Sequence, residues 1–267
     1  MLKWRVLIPS LILGSWAILS LCVQWLPLHP NQITLAAILQ PPSFDAILGF
    51  DDLGRPLLAR LLMGARTSFF VAFWVVLISM TLGTLIGMIS AWLGGYVDLW
   101  IVRIIDVFLA FPSILLAIAL SGLLKPDISN VVFALSAVGW VGFARLARAQ
   151  TLSLKRREHV QAAVALGAGN FRILRWHVLP LLLAPLTVEA TFGIAGVVIA
   201  EAGLSFLGLG VQAPAASWGS MIRDGTLYML IAPHLVLAPG VALCGVVLSV
   251  NLLGDRLRDY LDVKRKD

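Results

Sequence analysis

The sequence predicts an all-α integral membrane protein with six transmembrane helices and both termini in the cytoplasm. Three observations carry this. Of 267 residues, 60% are hydrophobic and 13% charged, whereas a soluble globular domain is about 45–50% apolar and about 25% charged. The apolar stretches are continuous rather than alternating, which selects helices over a closed barrel as the membrane-spanning solution. Six such stretches from an inside N-terminus leave fifteen Lys and Arg on the inner side against five on the outer, as the positive-inside rule requires. The net charge of +6 is thereby explained by topology, and nucleic acid is not expected as a partner. Cys22 and Cys244 lie in separate apolar runs and suggest no disulfide framework.

Span 1 is Val6 to Leu26, uncharged and preceded by Lys3 and Arg5; about 20 residues cross about 30 Å of hydrocarbon. The Trp25-Leu26-Pro27-Leu28 that ends it has no small-residue cleavage site, so it reads as an uncleaved anchor. His29 to Arg66 is polar and proline-rich. Its second half, Leu53 to Met63, has helical apolar spacing and reads either as a helix along the outer surface or as a solvated loop. Thr67 to Val97 carries no charge and holds span 2, ending near Ala91 or Trp92 before Gly94-Gly95. Within it Gly83, Gly87 and Ala91 repeat every four residues, a spacing that lets two helices approach closely in lipid.

Asp98 to Leu124 is span 3, with Pro112 inside it. Arg103 and Asp106 share a helix face there and are expected to form an ion pair, structural or gating. Span 4 starts at Ile128 and continues through Arg145 and Arg148 toward Lys155-Arg156-Arg157. Span 5 runs from Pro180 to about Phe206 and holds Glu189 and Glu201. The two are twelve residues apart, about 18 Å along the helix and about 120° around it, so they do not pair. Each reads first as structural: Glu201 would brace the glycine turn after Gly203, and Glu189 could line a polar pathway. Ala213 to Gly225 reads as an outer loop, span 6 as Ala232 to Leu253 interrupted by Pro239, and Gly254 to Asp267 as a basic tail. The chain divides into an anchor span with its outer segment, residues 1–66, and a core of five spans, residues 67–267.

No lysine follows a glycine, so there is no phosphate-binding loop. The scattered histidines lack metal-ligand spacing, and Ser205 lacks the closing glycine of a nucleophile elbow. The chain is therefore expected to have no catalytic site, cofactor or metal of its own. What remains is the stretch EHVQAAVALGAGNFRILRWHVLP, Glu158 to Pro180. It has helical periodicity, cannot span a membrane, and falls on the inner side. Val160, Ala163, Val164 and Leu166 cluster on one side of a short helix that Gly167 and Gly169-Asn170 would stop. Such a helix could seat in a groove of a partner or lie in the interface alone.

The spacing Gln161-Ala162-Ala163, Gly167, His177-Val178-Leu179-Pro180 resembles the "EAA" loop of importer-type ABC transporter permeases, with Gln161 in place of the usual Glu and His177 in place of Ile. Gly49 to Ser68, Glu201 to Gly210 with Ser217-Trp218-Gly219, and Asn251 to Asp259 are similar to signatures of the dipeptide/oligopeptide/nickel branch. The resemblance implies a type I ABC importer permease fold in a bacterial inner membrane. It implies one of two permease subunits, pairing with a related but distinct one, served by two cytoplasmic ATPases and an extracytoplasmic substrate-binding protein. Residues 155–178 would be the coupling loop, with Glu158, Val160, Gln161, Ala162, Ala163, Gly167 and Pro180 at the ATPase-docking element. Val160, Ala163 and Gly167 would carry the docking by packing. Arg103, Asp106, Glu189 and Glu201 would be pathway or gating candidates. The cargo expected is short peptides, or alternatively nickel or a metal–chelator complex; an ion-coupled secondary transporter is the rival class.

Overall fold

The structure, a computed structural model, describes residues 4–44 and 46–263. Lys3, Asp45, Lys264, Arg265 and Lys266 lie outside the described residues. All of the regular structure described is helical: α1 (Trp4–Cys22), α2 (Leu57–Leu93), α3 (Gly95–Leu109), α4 (Ser113–Leu123), α5 (Ile128–Leu154), α6 (Glu158–Ala165), α7 (Asn170–Ile173), α8 (Leu179–Phe206), α9 (Trp218–Thr226) and α10 (His234–Val263). Five helical stretches are long and apolar enough to cross a membrane, or six if the bent pair α3 and α4 counts as one span.

Prolines separate expectation from structure most sharply. Span 3 is not one helix: α3 and α4 meet at 85°. Pro112 supplies no N–H and pushes Phe111 out of the helical region, so the helix stops at Leu109 and restarts at Ser113. Pro239, expected to interrupt span 6, instead lies within the continuous helix α10, which also absorbs most of the expected tail. Neighbouring helices re-satisfy or shield the freed carbonyl in such cases.

Two further expectations change at the end of the bundle opposite α6. The segment Leu53 to Met63 is not a surface helix; from Leu57 it is the start of α2, a single 37-residue helix continuous across residues 66 and 67. The expected loop Ala213 to Gly225 contains α9, begun by a reciprocal Ser217–Ser220 capping box. Trp218 is buried there and donates its indole N–H to the Leu61 carbonyl at 3.1 Å. Asp51, Arg55 and Arg60 form a buried cluster beside it, with Arg55 Nε 2.7 Å and Arg60 Nε 3.3 Å from Asp51 Oδ2. Burial raises the neighbouring Asp52 carboxyl above its usual range, and Asp51 adds to the effect.

α2 is the axis of the fold, and its most extensive partner is α5. The Gly83/Gly87 face does this work. A Cβ at Gly83 would collide with the Trp140 carbonyl, and one at Gly87 with the Ala144 carbonyl. Both obstacles are backbone, so only glycine permits this approach. The expected packing role of the small-residue repeat is thus met within the chain.

Candidate functional site

The Glu158–Pro180 segment is a helix–turn–helix foot under the bundle. Arg157 is the N-cap residue of α6 and Glu158 sits in its first turn, where a carboxylate favours the helix dipole. α6 ends in a Schellman arrangement: Ala168 N–H donates to the Ala163 carbonyl and Gly167 N–H to the Val164 carbonyl, at 3.0 and 2.9 Å. Gly167 has φ +80°, a left-handed conformation that costs other L-residues about 1–2 kcal/mol. The expected stop is therefore met. Gly167 acts through its backbone conformation.

The faces of α6 differ from expectation. Val160 and Ala163 are buried in the chain's own core with Trp92, Leu154, Ile173, Val178 and Leu182. They fasten the foot to the ends of α2, α5 and α8, and their side chains are not available to a partner; the expectation that they dock by packing is corrected. Val164 and Leu166 do not share that face: Leu166 is 86% exposed, and Phe171 on α7 is 75% exposed. Gln161 and Ala162 are exposed as well. An eight-residue helix buries one narrow stripe at i, i+3, and apolar residues off that stripe are left in the open. The presented surface is Gln161, Ala162, Val164, Leu166 and Phe171, rimmed by the exposed Arg157, Arg172 and Arg175.

Between α7 and α8 runs a π turn, Leu174–Val178, which no sequence signal announced except Pro180. That proline cannot donate to the Trp176 carbonyl as an α-helix would require, and a wider turn just before it accommodates the loss. His177 lies on this turn, its ring 6.5 Å from that of His159 on α6.

The foot rests on a polar brace that sequence reasoning missed. Arg148 on α5 grips Asp98 on α3 with two hydrogen bonds of 2.6 Å, and Ser90 on α2 donates to the same carboxylate at 2.6 Å. Lys155 Nζ donates to the Trp92 carbonyl at 2.7 Å and lies over its ring. Arg103 and Asp106, expected to pair, form no ion pair with each other among the described residues; the bidentate partner of Arg148 is a whole helix away in sequence. The signal available was Asp98 in the first turn of a helix after Gly94-Gly95. Arg148→Ala is expected to destabilise the detergent-solubilised protein by about 1–3 kcal/mol, as for a charge-assisted hydrogen-bonded pair. Thermal unfolding checks this. Asp98→Asn should give a similar loss, and the double variant should lose less than the sum.

The two membrane carboxylates have different surroundings. Glu201 is fully buried and accepts hydrogen bonds from Ser68 on α2 at 2.9 Å and Ser205 at 2.8 Å. Ser205 in turn accepts from Val211 N–H at 3.3 Å, so Glu201 braces the turn after α8 as expected. Glu189 is half-buried and makes no hydrogen bond or ion pair among the described residues. It borders a 510 Å³ cleft between α2, α4, α5 and α8. It also borders a 560 Å³ cavity with Asp106, Arg145 and Arg148. The structure thus brings Asp106 and Glu189 to one cavity and leaves Glu201 apart.

Residues 83–267 match the family described as "Binding-protein-dependent transport system inner membrane component". The chain is 44% identical over 228 residues to the dipeptide transport system permease protein DppC of Alkalihalophilus pseudofirmus, covering 85% of this chain and 75% of that one. It is 38% identical over 261 residues to the nickel transport system permease protein NikC of Escherichia coli K12, covering 97% and 94%. Among solved structures it resembles a chain of the MetNI methionine ABC transporter in an inward-facing conformation, with TM-score 0.63 and 19% identity, over 77% of this chain and 98% of that one. With the foot, the helical bundle and these relatives together, the chain belongs to the family of binding-protein-dependent transport system inner membrane components, as a multi-pass permease subunit.

Proposed function

We propose that this chain forms half of the translocation pathway of an ATP-driven importer for short peptides. Its N- and C-termini and the α6–α7 foot face the cytoplasm, with six spans counting α3 and α4 as one. A second, related permease pairs with it. Two cytoplasmic ATPase subunits dock below, and an extracytoplasmic binding protein delivers the cargo. Hydrolysis belongs to the ATPases, as the family's division of labour implies.

The observation that carries this reading is the construction of the foot. It presents exposed apolar residues at its tip while Val160 and Ala163 lock it into the core shared by α2, α5 and α8. A rigid foot of this kind transmits a push as a rigid-body movement of the attached helices. The Gly83/Gly87 contact holds α2 and α5 together during such a movement. Gln161 brings no charge, so docking relies on the apolar tip with Arg157, Arg172 and Arg175 around it.

Peptide cargo is supported by the likeness to dipeptide permeases at 37–44% identity. A nickel reading has its own support in the 38% identity to a nickel permease over nearly the whole chain. Uptake by the complete complex in proteoliposomes, with its binding protein, separates them: ATP-dependent accumulation of a labelled dipeptide is expected, and ATP-dependent accumulation of Ni²⁺ alone would favour the second reading. Uptake that needs a proton gradient and no ATP would overturn both.

A further inference from the structure

Glu189 borders three separate cavities. The cleft between α2, α4, α5 and α8 is walled by Val75, Ser79, Leu135, Phe143, Gly193 and Gly196 among others, and Glu189 is the one ionisable residue on it among the described residues. The Ser79 hydroxyl, buried in this wall, has no hydrogen-bond partner among the described residues. Glu189 also borders the cavity holding Asp106, Arg145 and Arg148, and a third of 680 Å³ with Arg157 and Arg258. It is ten residues into α8, about 15 Å from that helix's α6 end and so near the middle of an about 30 Å hydrocarbon layer. Gly142 on α5 faces its carboxylate: a Cβ there would lie 3.4 Å from Oε1. A carboxylate at that depth normally has a partner. Glu201 has two serines; Glu189 has none among the described residues.

We propose that Glu189 is a binding residue for the cargo itself, a mid-membrane carboxylate that meets a positively charged group of the solute as it leaves the apolar cleft. The inference rests on the reading of this chain as half of a pathway, and deepens it by naming the cargo chemistry: a protonated amino group or a metal cation, not an anion. The charged groups facing Glu189 are Asp106, Arg145 and Arg148 in one cavity and Arg157 and Arg258 in the other. Arg148 is neutralised by Asp98, and the basic residues lie toward the foot. A cation entering through the cleft meets Glu189 before any of them. Beyond it, Arg145 would discourage the cation from lingering.

The experiment has two arms. In the first, the complete complex with its binding protein is reconstituted with wild-type chain or Glu189→Gln, and uptake of labelled dialanine and of Ni²⁺ is followed with ATP. Glu189→Gln is expected to cut uptake of the species the wild type carries by about tenfold or more, the loss expected for one charge-assisted contact. Stimulation of ATP hydrolysis by the binding protein should remain. Dialanine or Ni²⁺ as the affected species identifies the amino group or the metal cation as the source of charge. In the second arm, Gly196→Cys is placed on the same face two turns away, where a side chain has room, in a chain with Cys22 and Cys244 replaced by Ser. A cationic methanethiosulfonate should label it faster than an anionic one, relative to their rates with a free thiol, by about tenfold at that distance. Glu189→Gln should bring the ratio close to one. Wild-type uptake matched by Glu189→Gln, or a labelling ratio indifferent to it, overturns the proposal and leaves the importer reading standing. No ATP-driven uptake by the wild type overturns the importer reading itself.

Discussion

A chain carrying Leu166→Glu with Phe171→Glu is expected to insert and fold normally and to lose ATP-driven uptake by about a hundredfold or more. Both side chains are largely exposed, so charging them leaves the subunit's own packing untouched. In a docked complex they would be the large apolar groups at the centre of the contact, where a single truncated anchor costs about 2 kcal/mol or more and a buried, unpaired charge costs further. Melting temperature and detergent-extracted yield should match the wild type, while the ATPase subunits fail to co-purify. Val160→Glu makes the contrast. Val160 is fully buried against Trp92 and Leu182, so that variant should lower stability as well as uptake.

Gly87→Leu is expected to be the most damaging single change to the fold. Its Cβ would drive into the backbone of Ala144, and no side-chain rotation relieves a backbone collision. α2 and α5 must separate, undoing the most extensive helix–helix contact among the described residues. Overpacked sites with soft neighbours cost about 1–3 kcal/mol, and a rigid backbone neighbour places this one at or above about 3 kcal/mol. Size-exclusion of the detergent-solubilised protein should show aggregation. Gly14→Ala, in a helix where an added Cβ meets nothing, should behave as wild type. A monodisperse, fully active Gly87→Leu protein would remove α2–α5 packing from the account.

Spans 1, 2, 4 and 5 were legible because each is a long, predominantly apolar run, and lipid admits few other arrangements. The prolines were not legible. Pro112 and Pro239 look alike in sequence, yet the first bends the chain by 85° and the second sits inside a continuous helix; what surrounds each proline decides. The Asp98–Arg148 pair was hidden by a separation of fifty positions, while Arg103 and Asp106 lie close in sequence and do not pair with each other among the described residues. For the foot, the turn at Gly167 and the polar flanks were legible, but the faces were misassigned. The apolar residues of a short helix look like one docking face until the surrounding helices show which stripe they already cover, here Val160 and Ala163. Val164 and Leu166 are apolar and uncovered, the pattern expected where a partner completes the burial.

The most direct test of the central claim is binding-protein-stimulated ATP hydrolysis and uptake, measured together on one reconstituted complex, wild type against Leu166→Glu/Phe171→Glu. The account predicts that the wild type couples the two, and that the variant, although inserted and stable, shows neither stimulated hydrolysis nor uptake. Normal stimulation and uptake in the variant would contradict the assignment of the α6–α7 foot as the point where ATP-driven motion enters this chain.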